Sequence, residues 1–296
     1  MENKKVIVVT GGAGFVGSHL CEELVKDKNN TVISIDNYFT GSEENHIEGV
    51  QYINDEAKNI ADHILHADLV YHLGEYSRVE QSFDDINTVF DFNTQGLIKV
   101  LQFCKEQNAK LVYSGSSTKY ADQGEGPHQS PYAWTKSTNT DLVQAYAKWF
   151  DIDYAITYFY NVYGKREIST GKYATLIAKF NQKMKNGEPL TIVAPGTQKR
   201  NFTHIDDIVS GLILVGYNGS GDGYGIGNPK AYSIIEIVNM FNPEDVDYLE
   251  PRPGNRMTAD VVTDKTRTLG WEPKKSIEDY IDQLRKVNWT QSEVNN

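Results

Sequence analysis

VVTGGAGFVGSHL (residues 8–20), followed at residues 32–37 by VISIDN, reads as strand, glycine turn, helix and second strand closing on an acid. The apolar run Val6–Val9 gives way to glycines at 11, 14 and 17, then to a helix-like pattern ending near Lys26. A dinucleotide needs this order. Gly11 permits the turn, Gly14 admits backbone N–H groups to the phosphates, and Gly17 lets helix and strand pack closely. The helix N-terminus faces the pyrophosphate. Asp36 ends the second strand where a carboxylate accepts hydrogen bonds from both ribose hydroxyls and repels a 2′-phosphate, so NAD is expected rather than NADP.

The composition bounds the function. At 296 residues the chain is long enough for a full core and long for one minimal domain. Its formal net charge of −11 argues against nucleic acid or an anionic membrane surface as partner. No apolar run is long enough to span a bilayer, and MENKKVIVV runs straight into a core strand without a signal-peptide pattern. A soluble, cytoplasmic protein is therefore expected. The two cysteines, Cys21 and Cys104, lie in apolar helical patterns and read as reduced core thiols. No Cys/His spacing suggests a metal site, so none is expected.

Strand candidates recur at Val6–Val9, Val32–Ile35, Leu69–His72, Leu111–Ser114 and Tyr154–Tyr158, separated by amphipathic segments at Gly14–Lys26, Thr88–Gln107 and Tyr132–Phe150. Such alternation predicts an α/β fold, a Rossmann-type doubly wound parallel sheet covered on both faces. The last third is turn-rich, with short apolar segments at Leu190–Val193 and Tyr224–Ile226 and brief helical patterns at Lys172–Asn186, Asp206–Tyr217 and Ile234–Phe241. The expected division is a cofactor-binding domain over residues 1–165 and a smaller α/β substrate-binding part over 166–296, some elements of which return to the first.

Chemistry is expected after the fifth strand candidate. GSSTKY (115–120) follows it, and SPYAWTK (130–136) places Tyr132 and Lys136 four apart, one turn apart on a single helix face. A neighbouring ammonium favours a phenolate and suits the phenol to proton transfer. Lys136 also suits hydrogen bonding to a nicotinamide ribose. Ser116, at the preceding strand end, is placed to hold a substrate oxygen beside Tyr132. Read without the glycine turn, the Tyr/Lys pair is an ordinary surface pair. The GSS turn lacks the elbow and the His partner of a hydrolase serine.

These motifs in this order resemble the extended short-chain dehydrogenase/reductase family, and within it the NAD-dependent nucleotide-sugar epimerases and dehydratases. The resemblance runs from TGGAGFVG (10–17) to LGWEP (269–273). DNYFTG (36–41) resembles the adenosine-ribose turn, with Asp36, Asn37 and Gly41, and Asp55 stands at the place of an adenine-contacting acid. HLGEYS (72–77) resembles the cofactor-lining segment usually written HLAA. The resemblance implies that Gly11, Gly14, Phe15, Val16, Gly17, Leu73, Gly74 and Ser114 line the cofactor. It places Asn93 beneath the nicotinamide half and makes Ser116, Tyr132 and Lys136 the catalytic trio. YNVYG (160–164) is similar to FNVYG, which makes Asn161 a holder of the substrate diphosphate. TQKRNFTHIDD (197–207) and PRPGN (251–255) imply phosphate contacts from Arg200 and Arg252, with Ser117 also at the substrate.

Departures from the family pattern carry information. The 4,6-dehydratases place an Asp-Glu pair where Ser117 and Thr118 stand here, so dehydration is not expected. Gly74 and Glu75 replace two alanines. Glu75 reads as a solvated loop acid or one paired with Arg78, with a sugar-facing role as the alternative. Tyr158 stands where the family carries Arg, three residues before Asn161, and is counted with the cofactor contacts. The loop between Arg252 and Asp260 is short, leaving room for an N-acetyl group. The expectation is an NAD-dependent 4-epimerase of a UDP-hexose (glucose/galactose or the N-acetyl or uronate equivalents), working through a 4-keto sugar. A nucleotide-sugar 4-dehydrogenase or 4-keto reductase, UDP- or GDP-linked, is the alternative. A non-catalytic nucleotide-binding protein would not need the trio. The resemblance further implies a homodimer formed through a four-helix bundle of the Thr88–Gln107 and Tyr132–Phe150 helices.

Overall fold

The computed structural model describes residues 4–120, 126–250 and 260–288. β1 (Lys5–Thr10) passes through the glycine turn into α1 (Phe15–Leu24) and β2 (Asn30–Asp36). β3 (Gln51–Asn54), the short α2 (Ile60–His63) and β4 (Leu69–His72) follow. α3 (Ile86–Val89) and α4 (Gly96–Gln107) are joined by one wide π-turn over Phe90–Gln95. β5 (Lys110–Ser116), α5 (Pro131–Phe150) and β6 (Tyr154–Phe159) complete the pattern expected for the first half. The remainder runs β7 (Val162–Tyr163), α6 (Leu176–Lys185), β8 (Leu190–Val193), β9 (Lys199–Asn201) and β10 (Thr203–His204). Then come α7 (Ile205–Asn218), β11 (Gly221–Ile226), β12 (Ala231–Ser233), α8 (Ile234–Phe241), β13 (Val246–Leu249), α9 (Asp264–Thr268) and α10 (Ile277–Asn288).

Seven strands form one parallel sheet in the order β11-β6-β5-β4-β1-β2-β3. The period-2 alternation of strand side chains splits its apolar residues between two layers. Ile7, Val9, Val32, Leu69 and Tyr71 pack with Leu20 of α1 and Leu212 of α7. Val8, Ile35, Val70 and Leu111 pack with Leu97 of α4 and Val143 of α5. Cys21 lies in the first layer and Cys104 in the second, both free and fully buried. Burial pushes the Cys21 thiol up to about 12 and Cys104 in the same direction, as inert core thiols require. A separate core gathers Phe180 of α6, Leu190 of β8, Ile237 and Phe241 of α8 and Ile281 of α10.

The sequence pattern did not show two strands of the sheet for what they are. QYIN (51–54) forms β3 at one edge, and the glycine-rich GDGYGI (221–226) forms β11 at the other. β11 pairs with β6, with a register shift between Gly221 and Tyr224. The strand order reverses between β1 and β4, so the loops after these two strands open a crevice at their carboxyl ends.

Candidate active site

The crevice is a cleft of about 890 Å³ lined from both halves of the chain. Its floor is the glycine turn. Gly11 has φ +74°, and a Cβ there would fall 2.8 Å from Gly74 Cα. A Cβ on Gly17 would lie 2.1 Å from the Gly11 carbonyl oxygen, so only glycine lets α1 start this close to β1. Thr10 Oγ1 accepts from the amides of Leu73 (3.1 Å) and Gly74 (2.9 Å), which lashes the loop after β4 onto the turn. Asp36 is buried at the end of β2 and accepts from the amides of Ala13 (2.9 Å) and Tyr38 (2.8 Å). Burial raises the Asp36 carboxyl above its ordinary range, and these amides partly offset it. Gly41 packs against the same carboxylate. Gly11, Gly14, Phe15, Val16, Gly17, Asn37, Leu73, Gly74 and Ser114 all reach the cleft or its floor. A cradle that a Cβ would fill, a helix N-terminus and a buried carboxylate fit a dinucleotide.

Three expected cofactor residues have other duties. Asp55 gives its carboxylate to His63 (2.7 Å) and Asn59 (2.8 Å), and these contacts, His63 above all, hold its pKa at about 2. Its neighbours Glu56, Ala57 and Lys58 line the Asp36 end of the cleft. Asn93 is fully buried on the π-turn, accepts from the Tyr76 amide (2.7 Å) and donates to Thr135 Oγ1 (3.0 Å). It therefore braces the loop after β4 from beneath. Tyr158 is a correction: its ring packs under Gly115, and its hydroxyl donates to Asp222 Oδ1 at 2.6 Å, away from the cleft. Strand alternation explains this, because Phe159 faces the cleft and Tyr158 the opposite layer.

Ser116, Tyr132 and Lys136, which the resemblance groups as a trio, line the same cleft. Ser130 caps α5, its hydroxyl accepting from the Ala133 amide at 3.1 Å, with Pro131 opening the helix. That start fixes Tyr132 against the end of β5, where its hydroxyl donates to Ser116 Oγ at 3.2 Å. Thr118 also donates to Ser116 Oγ, at 3.0 Å. Lys136 is buried, and its ammonium donates to the Ser114 carbonyl (2.6 Å) and to the Glu75 carboxylate.

Glu75 is the second correction. It is neither solvated nor paired with Arg78, for its side chain is 1% exposed and ion-paired to Lys136. Its carboxylate also accepts from Tyr113 (3.1 Å) and Asn139 (3.3 Å), and His72 Nε2 lies 3.5 Å away. Burial alone would raise this carboxyl, but Lys136 and then His72 outweigh it and hold Glu75 below its ordinary range. Arg78 instead donates Nε and Nη2 to the Tyr173 carbonyl (2.9 and 2.7 Å) and lines the cleft. Glu167, which sequence reading passed over, lines the cleft too. Burial lifts it to about 7, although the Gly164 amide donates to it at 2.9 Å.

In the other half of the cleft lie Ser117, Asn161 and Arg200. Asn161 sits at φ +33° between β6 and β7, and its Nδ2 donates to the Asn201 carbonyl at 3.2 Å, tying it to β9. Arg200 projects from β9, whose register against β12 sets it opposite Tyr232. Arg252 lies outside the described residues.

A dinucleotide turn joined to a Ser-Tyr-Lys trio in one cleft defines a class of nucleotide-dependent dehydrogenase-type enzymes. Residues 7–227 match the model of the NAD dependent epimerase/dehydratase family. UDP-glucuronic acid decarboxylase 3 of Arabidopsis thaliana is 28% identical over 95% of this chain and 88% of its own. A putative UDP-glucose 4-epimerase of Methanocaldococcus jannaschii is 27% identical over 96% of this chain and 98% of its own. The structure of a UDP-N-acetylglucosamine 4-epimerase from Methanobrevibacter ruminantium, in complex with UDP-N-acetylmuramic acid, superposes with a TM-score of 0.86 at 27% identity. It covers 98% of this chain and 99% of that one. The chain belongs to the NAD-dependent epimerase/dehydratase family.

Proposed function

We propose that this protein is a nucleotide-sugar 4-epimerase acting on a UDP-hexose. The observation that carries the reading is the Tyr132–Ser116 hydrogen bond at the mouth of the dinucleotide cradle, with Ser117 and Thr118 beside it where an elimination would need carboxyl groups. NAD held in the glycine cradle would supply reversible hydride chemistry at the sugar C4. Tyr132, as phenolate, takes the proton of the 4-hydroxyl, and Ser116 holds the same oxygen. Asn161 and Arg200 anchor the diphosphate, a role the resemblance extends to Arg252, guanidinium contacts suiting a phosphate. Anchoring at the tether leaves the 4-keto sugar free to present its other face, after which Tyr132 returns the proton.

The test is proton NMR of the purified protein, without added NAD, mixed separately with UDP-glucose, UDP-N-acetylglucosamine and UDP-glucuronate. A second anomeric signal rising to a constant ratio is expected with one of them, and names the sugar. Lasting NADH would replace the reading with a dehydrogenase, and a pentose product with a decarboxylase.

We also propose a homodimer through α4 and α5. Support comes from Phe83, Ile86 and Phe90, exposed on the segment leading into α4, and from exposed Trp134 of α5, whose ring lies 5.6 Å from that of Phe90. Clustered exposed aromatics of this size mark association surfaces. Light scattering should give twice the chain mass for the parent protein and one chain mass for Phe90→Glu. A monomeric parent would end the proposal.

A further inference from the structure

We infer that Asp85 latches a strap, residues 171–175, across the cleft, and that the strap must lift before the dinucleotide can leave. The inference rests on the cleft holding NAD and not on which sugar reacts there. Residues 171–175 belong to the substrate half of the chain, yet their bonds run to the cofactor half. The Lys172 ammonium donates to both carboxylate oxygens of Asp85, the residue before α3, at 2.9 and 3.0 Å. The Tyr173 hydroxyl donates to the same carboxylate at 2.9 Å, where the Tyr76 hydroxyl also donates at 2.8 Å. Arg78 gives its Nε and Nη2 to the Tyr173 carbonyl, and Gln81 Nε2 donates to the Lys172 carbonyl at 3.0 Å. These partners lie 87 to 95 positions from the strap, so chain connectivity does not bring them together.

The aromatic rings place the strap. The Tyr173 ring lies 5.3 Å from Phe39, on the turn that follows Asp36, and Phe39 lies 5.3 Å from Phe92 and 6.0 Å from Tyr76. The loops after β2, β4 and β7 therefore meet around Tyr173. Phe39, Arg78, Gln81, Lys172 and Thr175 of those loops line the cleft whose floor is the glycine turn, so bonds among them span its opening. The strap is built to move. Gly171 sits at φ +77° with nothing within 4 Å of where a Cβ would stand, and the Thr175 amide holds the far end to the Ile168 carbonyl at 2.9 Å. The side chains of Lys172 and Asp85 are 44% and 22% exposed, so water and salt compete for their pairing. Segments joined by such exposed bonds open locally without unfolding the rest. A cofactor that takes up a hydride and gives it back must stay bound between the two steps, and this latch serves that without touching the sugar.

The test is cofactor exchange in holoenzyme carrying radiolabelled NAD, chased with excess unlabelled NAD and followed by gel filtration with no sugar present. Asp85→Asn, Lys172→Met and the double variant are compared with the parent. Asp85→Asn keeps the shape of the side chain and removes its charge. Each single variant should release label about fivefold faster than the parent. The double variant should be no faster than the quicker single one, because both substitutions break one pair. Added salt should speed release from the parent toward the rate of the variants, which should respond less. Urea midpoints should stay near that of the parent, since an exposed pair adds little to global stability. Release within twofold of the parent in both single variants would overturn the inference, and so would effects that multiply in the double variant. A midpoint that falls in step with faster release would make Asp85 a structural residue and overturn it as well. Should Asp85→Asn fail to fold, Lys172→Met, at an exposed position, decides alone. Turnover plays no part in the measurement: a holoenzyme silent toward every sugar but latched in this way would lose the proposed reaction and keep the latch.

Discussion

Tyr132→Phe is expected to lower kcat by about 1,000-fold, the middle of the range for losing a positioned proton carrier, while KM and bound NAD stay close to the parent. The substitution removes one oxygen. Its contact is the 3.2 Å hydrogen bond to Ser116, and Ser116 keeps its bonds from Thr118, so the end of β5 has no reason to move. The glycine cradle and Asp36 touch other elements and continue to hold the cofactor. Ser116 cannot substitute as base, because a serine hydroxyl has no titration near neutral pH, Ser117 and Thr118 come next, and the ammonium of Lys119 is given to Asp222 at 3.0 Å. Steady-state kinetics on the sugar found by NMR, with NAD counted after denaturing release, checks both halves. Activity within tenfold of the parent would remove Tyr132 from the reaction. Loss of NAD together with activity would show instead that the phenol holds the cofactor site together.

What the sequence carried and what it hid follow from the range of the interactions. The glycine turn, Asp36 and the Tyr132–Lys136 spacing are local: one turn of chain or one helical repeat contains the whole signal, and the structure places all of them in one cleft. Ser116 was legible because a strand end next to a cleft is a place as well as a residue. β3 was not legible, and of β11 only Tyr224–Ile226 stood out as a short apolar segment. Both sit at sheet edges, where one face or one flank is less buried and the apolar run that marks a central strand is absent. β11 carries three glycines in six residues, the usual sign of a loop. Tyr158 was counted with the cofactor contacts for the family position it holds, but strand alternation turns it to the face opposite Phe159. Glu75 was misread for a different reason. A charged residue just after a strand has every local mark of a solvated loop acid, and its partner Lys136 lies 61 positions along the chain. Burial of a carboxylate is a tertiary event with no periodicity to announce it. Arg78 was named only as that acid's neighbour, and its bonds go instead to the Tyr173 carbonyl, 95 positions along the chain.

The same pair sets the largest stability effect expected in the protein. Glu75→Ala should destabilise the fold by about 3–5 kcal/mol, because it strands a buried ammonium without its counter-charge. Lys136 is 4% exposed and cannot turn to water without leaving the Ser114 carbonyl, so relaxation recovers little. Tyr113 and Asn139 lose an acceptor at the same time, each leaving a polar group short of a bond in the interior. Adding Lys136→Met to Glu75→Ala should give back a substantial part of the loss, since the stranded charge is then gone. A double-mutant cycle in urea isolates that coupling. The pH dependence has a definite sign. Glu75 lies below its ordinary value of 4.5 in the folded protein, and an unfolded chain returns it there. Its contribution is therefore complete above about 4.5 and is lost as the pH falls through the lower, folded value. The stability gap between parent and Glu75→Ala should hold steady from neutral pH down to mild acid and close only below that point. A gap under 1 kcal/mol at neutral pH, or one that closes on going from pH 8 to 6, would mean that Glu75 is not the ionised partner of Lys136.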